Sequence, residues 1–129
     1  MQDQPTPSEV IGAVAIFLKT VVAAQTTGAT SFQARVAANA LEMMRRQLDL
    51  APAEDAAELT RLKALLNTDG SLAELNAELA RRISTGDLDL TTPGLSDHLW
   101  STTMAKLAVD QPTYAAYRVE LASRAGEPS

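Results

Sequence analysis

Residues 30–50, TSFQARVAANALEMMRRQLDL, decide the fold class, because they read as one long amphipathic helix. Phe32, Val36, Met43, Met44 and Leu48 recur at helical spacing and define its apolar side. Beside them runs a narrow polar stripe of Arg35, Asn39, Glu42 and Arg46, which fall within about 60° of one another at about 100° per residue. A wide apolar arc with a compact Arg/Asn/Glu strip is the pattern of a helix in a bundle. The strip is where specific recognition is expected.

Upstream, Thr6-Pro7-Ser8-Glu9 opens a first helix. Thr6 is placed to cap it, Pro7 sits where its missing N–H costs nothing, and Glu9 closes a capping box. Val10, Val14, Phe17, Leu18 and Val21 form the expected buried stripe, with Lys19 opposite and Ile16 on the polar side. Residues 25–29, with Gly28, end this helix, and the second starts at Thr30 or Ser31, with Thr30 and Gln33 at capping-box spacing. Leu50-Ala51-Pro52 is expected to break the second helix and begin a third, whose stripe is Leu59, Leu62 and Leu66 and which ends near residues 67–70.

Ser71-Leu72-Ala73-Glu74 is another capping box, heading a helix with Leu72, Leu75, Leu79 and Ile83 on a narrow arc and Gly86 just past its end. Residues 87–92 are the longest non-helical connection; Asp87-Leu88-Asp89-Leu90 alternates in a strand-like way, and with no partner strand an extended loop is expected. Thr92-Pro93 then opens a fifth helix to about Val109. Leu95, Leu99, Trp100, Met104, Leu107 and Val109 lie nearly all around it, so it is expected to be central or doubly covered. A last, weaker helix spans 114–123, and the tail 126–129 is expected to fray. The sequence therefore predicts an all-α fold, a single compact bundle of five to six amphipathic helices in one domain over 1–129, ordered over about 6–123.

A chain of 129 residues buries roughly two-thirds of its unfolded surface, enough for a core without staples. With one Trp, two Tyr and two Phe, that core is expected to be aliphatic. No cysteine is present, which excludes disulfides and thiolate metal sites. The net charge of −5 argues against general polyanion binding, and Arg45-Arg46 and Arg81-Arg82 are expected to pair with nearby acids rather than with nucleic acid. The first five residues lack the positive region and apolar run of a secretory signal. The longest apolar stretch, 10–24, is short for a bilayer span and carries Lys19. The expectation is a cytoplasmic protein without membrane or nucleic-acid partners.

Catalytic signatures are missing. His98 is the only histidine, expected at the surface or a boundary, and one histidine cannot supply a di-iron carboxylate bundle. No phosphate loop, dinucleotide fingerprint, zincin helix or nucleophile elbow occurs, so no cofactor or metal is expected. The polar residues left are the Arg35/Asn39/Glu42/Arg46 strip and Lys106 with Asp110. Lys106 shares a face with Leu95 and Leu99, which implies a partly buried stem. Asp110 near a helix C-terminus opposes the dipole, and is expected to cap the following turn.

Two strings, FQARVAANAL (32–41) and KLAVDQPTY (106–114), together with the helix from Ser71 to Ile83, resemble a family of small bacterial helical proteins of unknown function. The resemblance runs from about Pro5 to Tyr114. It implies an accessory role, since such proteins are often encoded beside or fused behind phosphotransferases of the aminoglycoside-kinase type and near acyl-CoA dehydrogenase-like enzymes. It also singles out Arg35, Asn39, Lys106, Asp110 and Tyr114, while Gln111 and Thr113 stand where the family pattern has Asn and Arg.

Three readings follow. The leading one is a non-catalytic module for a partner enzyme, kinase-like or acyl-CoA-metabolising. The second is an anionic-metabolite binder or enzyme, with Arg35, Asn39 and Lys106 lining a polar pocket between the second and fifth helices. In the third, the same residues brace the bundle. Homo-oligomerisation is open in all three.

Overall fold

The structure, a computed structural model, describes residues 3–126. Its fold is all-α, with no strand among the described residues. The elements are α1 (Pro7–Phe17), a π-helical stretch (Leu18–Val22), α2 (Ala23–Gln25), α3 (Gly28–Leu66), α4 (Leu72–Thr85), α5 (Leu95–Asp110) and α6 (Ala115–Gly126). The chain forms two compact units, one ending at Ala51 and the other beginning at Pro52. Of the tail expected to fray, residues 127–129 lie outside the described residues.

In the first unit the capping box forms as the sequence requires. Thr6 N–H donates to Glu9 Oε2 at 2.7 Å, and Glu9 N–H donates to Thr6 Oγ1 at 3.2 Å. The buried face of the unit is not the expected one. It consists of small residues: Ala15 and Ala23 from the first helical run, and Ser31, Ala34 and Ala38 from α3. The Ser31 hydroxyl donates to the Ala23 carbonyl at 2.8 Å, satisfying a helix-end acceptor. The π-helical stretch helps to align these groups. It widens the helix by about one residue per turn, so that Ala23, eight positions after Ala15, returns to the same side.

Small residues at a helix contact leave the large ones outside. Val10, Val14 and Phe17 are exposed, as are Val36, Met44, Leu48 and Phe32, the last at 62 %. The apolar arc read as the core side of residues 30–50 therefore faces solvent, apart from the half-buried Met43. Ile16 is exposed, as its place on the polar side implied. Pro7–Gln25 spans 19 residues with a mean hydropathy of 1.6 and 11 % of its apolar window buried. By length and composition it could cross a bilayer, contrary to the shorter stretch read from sequence, although a helix packed within a protein passes the same test.

Pro52 does not break the chain as expected. It lies inside α3, which runs 39 residues without interruption. A mid-helix proline gives no N–H to the carbonyl four residues back and crowds it. Here Pro52 and Leu48 are both exposed, and Ala51, Ala53, Ala56 and Ala57 favour helix on either side. The start of α3 also differs: it begins at Gly28, with a φ of 62°, two residues ahead of the expected Thr30 cap.

The second unit holds a leucine core. Leu62 and Leu66 of α3, Leu75 and Leu79 of α4 and Leu95 of α5 are buried together, with Leu59, Leu65, Leu72 and Leu88 packed around them. Asn67, with a φ of 50°, ends α3. Ser71 caps α4 reciprocally with Glu74, and Gly86 closes it with a φ of 81°. The Arg82 guanidinium donates to the Leu66 carbonyl at 3.3 Å, satisfying a group at the end of α3.

Residues 87–92 form turns and bends, not the extended segment that their alternation suggested. Asp89 accepts from the Thr91 N–H and hydroxyl, and its own N–H donates to Thr92 Oγ1, which closes the loop locally. The turn continues through Pro93-Gly94, so α5 starts at Leu95 rather than at Thr92-Pro93. Nor is α5 covered all round: Leu95, His98 and Val109 are buried, whereas Leu99 and Trp100 (45 %) are exposed. In α6, Tyr117 is the buried anchor.

Candidate functional site

The sequence-predicted positions fall in both units. In the first, Arg35 is exposed and its Nη1 donates to the Ser31 hydroxyl at 3.0 Å, one helical turn back. That hydroxyl also reaches the Ala23 carbonyl, so Arg35 buttresses a local hydrogen-bond relay. Asn39 is exposed. Glu42 pairs with Arg45 at 2.9 Å, and the Arg45 stem lies across Gly12, where a Cβ would meet its Cδ at 3.3 Å. Arg46 is half-buried and partnered.

In the second unit Lys106 is exposed, contrary to the partly buried stem expected of it. At about 100° per residue it falls about 20° from Leu95, so helical heading alone does not account for its exposure. Asp110 is the exposed last residue of α5. The turn after it is closed by the Gln111 carbonyl, which accepts from Tyr114 N–H at 3.0 Å, not by an Asp110 cap. Tyr114 is half-exposed at the start of α6.

A concavity lies elsewhere in the second unit. Arg61, Ala64 and Leu65 of α3, Pro93 and Gly94 of the preceding loop, and Asp97 and His98 of α5 line a cavity of about 340 Å³. His98 is 3 % exposed, which corrects the surface or boundary placement read from sequence. Its position follows from spacing: residues 95, 98, 102 and 109 recur on one side of a helix, and Leu95 is in the core.

The polar groups of this cavity are under-satisfied. Arg61 Nε and Nη2 and His98 Nδ1 are buried without hydrogen-bond partners in the protein, and so is Thr102 Oγ1, one turn beyond His98. Burial holds the His98 pKa below the usual imidazole value. The Arg61 charge lowers it further, and Glu58 opposes both. His98 is accordingly neutral at pH 7. Glu58 is itself tied down, accepting from Asn76 Nδ2 at 2.7 Å. Gly94, with a φ of 84°, is the N-cap of α5, and no side chain caps that first turn. Leu95 N–H donates to the Thr92 carbonyl at 3.2 Å, and the start of α5, with the positive end of its dipole, borders the same cavity.

Sequence reasoning missed Arg61 altogether. The available signals were its place next to Leu62 and one turn before Leu65, and a glycine where α5 needs a cap. Neither shows that Arg61 and His98 meet, because that depends on the path of residues 86–94.

No curated protein and no solved structure matches the chain. A family profile matches residues 24–114, ending at the same Tyr114 as the sequence resemblance and leaving α1 outside. That span takes in α3, α4 and α5 entire, the leucine core and the Arg61–His98 cavity, so the chain belongs to the family described as domain of unknown function (DUF6285).

Proposed function

We propose that this protein is a non-catalytic, cytoplasmic helical module of bacteria that docks on a partner enzyme through the apolar surface of its first unit. The observation that carries the reading is the set of large apolar side chains left exposed there. Val10, Val14 and Phe17 recur along α1, and Phe32, Val36, Met44 and Leu48 along α3. Monomeric proteins rarely expose contiguous apolar patches beyond a few hundred Å² unless the patch binds something. Each such side chain gains roughly 1.5–3 kcal/mol on full burial, so a few half-exposed ones anchor a complex once association costs are met.

The partner class follows from the sequence resemblance: a phosphotransferase of the aminoglycoside-kinase type or an acyl-CoA dehydrogenase-like enzyme. Co-expression with each, followed by size-exclusion chromatography, tests this. The expected result is a stable complex at about micromolar concentration, lost in the double variant Val14→Asp/Met44→Asp. If the chain elutes alone from both mixtures, the reading falls. A homodimer disrupted by the same substitutions would assign the surface to a second copy instead. Binding of Pro7–Gln25 to lipid vesicles would assign it to a membrane.

A further inference from the structure

The cavity beside His98 carries a second inference, independent of the partner-docking surface. We infer that it binds a small monocarboxylate with an aliphatic tail, the carboxylate held by the Arg61 guanidinium at the positive end of the α5 dipole. A buried guanidinium nitrogen without an acceptor is costly, and two of them on one residue present the forked donor pattern that a carboxylate or phosphate satisfies. His98, whose Nδ1 is likewise buried and unpartnered, belongs to the wall of the same space.

Charge selects between the oxyanions. Arg61 supplies one fixed positive charge, and His98 is neutral at pH 7 because burial and Arg61 depress its pKa. Asp97 lines the cavity with a negative charge, and Glu58 lies close enough to act on His98. A phosphate dianion would meet these two carboxylates with a single cation to balance it. A monocarboxylate matches the Arg61 charge. The remaining walls, Ala64, Leu65 and Pro93, are apolar and suit a short hydrocarbon chain, and about 340 Å³ is in the range of small-ligand sites.

The bound anion stabilises the His98 imidazolium, so binding raises the His98 pKa and strengthens as pH falls toward it. Glu58 acts in the same direction on His98 and Arg61 acts against it, while Asp97 lines the cavity beside it.

Because His98 is the only histidine, its imidazole resonances report the site without ambiguity. The probe is hexanoate titrated into the full chain, with hexanol, hexylamine and inorganic phosphate as comparisons. Hexanoate is expected to give saturable His98 shifts and to raise the His98 pKa, with the other three at least tenfold weaker. No saturation by roughly 10 mM hexanoate would overturn the inference. So would equal binding of hexanol, which would mean a merely apolar hole, or equal binding of phosphate or hexylamine. Arg61→Met is expected to weaken hexanoate binding tenfold or more without lowering the melting temperature, because it removes two buried nitrogens without partners and keeps the apolar stem. A lower melting temperature with binding retained would make Arg61 a structural residue and refute the assignment. Asp97→Asn is expected to tighten hexanoate binding several-fold and to admit phosphate. Unchanged affinity for both would refute the charge argument.

Discussion

At the scale of single residues, the tightest charge cluster is structural. Glu78 on α4 accepts from Arg81 at 2.8 Å and from Arg82 at 2.6 Å, and Arg82 also reaches the Leu66 carbonyl at the end of α3. Hydrogen bonds from Arg81 and then Arg82 pull the Glu78 pKa down from 4.5 to about 2. A carboxylate with a depressed folded pKa adds stability that is fully present above its unfolded pKa. That stability is lost as pH falls through the window from 4.5 to about 2. Thermal unfolding of the wild type and Glu78→Gln across this range is therefore expected to show the wild type more stable at neutral pH. The gap should close as pH approaches 2, and it should be narrower in high salt because the pair is solvent-accessible. A gap independent of pH would place the effect in helix propensity instead. The Arg35 relay is of the same local kind. Helical periodicity showed that Arg35 and its neighbours share a stripe, but not that Ser31, one turn back, would take the guanidinium.

At the scale of elements, the capping boxes at Thr6 and Ser71 were legible because each is a contact three residues apart. So was the leucine arc of α4, whose Leu75 and Leu79 are buried as its narrow spacing implied. Two features were not. Hydrophobic periodicity weights large side chains, whereas the first unit is joined through Ala15, Ala23, Ser31, Ala34 and Ala38, so the period alone puts Phe32 and Val36 on the wrong side. The proline rule likewise describes a local penalty, which an exposed position flanked by alanines tolerates. That penalty persists in the folded protein. Pro52→Ala is expected to restore the N–H to the Leu48 carbonyl and relieve the clash, gaining up to about 3 kcal/mol. The greater freedom of the unfolded chain offsets about 0.4–1 kcal/mol of this. A net rise in stability of roughly 2 kcal/mol, measured by urea unfolding, is the expected outcome. Destabilisation would mean that Pro52 shapes α3 in a way its neighbours depend on.

At the scale of the whole molecule, the all-α class was legible because it needs only the period of the apolar residues. The cavity was not, because it needs tertiary neighbours: α3 contributes Arg61, α5 contributes His98, and the loop between α4 and α5 brings Pro93 and Gly94 to them. The same contrast in burial divides the chain energetically. The second unit buries five leucines together, including Leu62 at 0 % exposure. In the first, the buried side chains among the described residues are alanines and one serine. Burial free energy scales with apolar area removed from water, so the first unit is the less stable cooperative segment. Native-state hydrogen exchange is expected to show amides of α1 and of α3 before Ala51 exchanging faster than those of α4 and of α3 around Leu62. The fast segment should slow when a partner covers Val14 and Met44, because a ligand that binds only the folded form stabilises it. Hexanoate, acting at Arg61, should slow exchange chiefly in the second unit. Uniform protection along all of α3 in the free protein would show that the two units open together, and would remove this link between weak burial and docking.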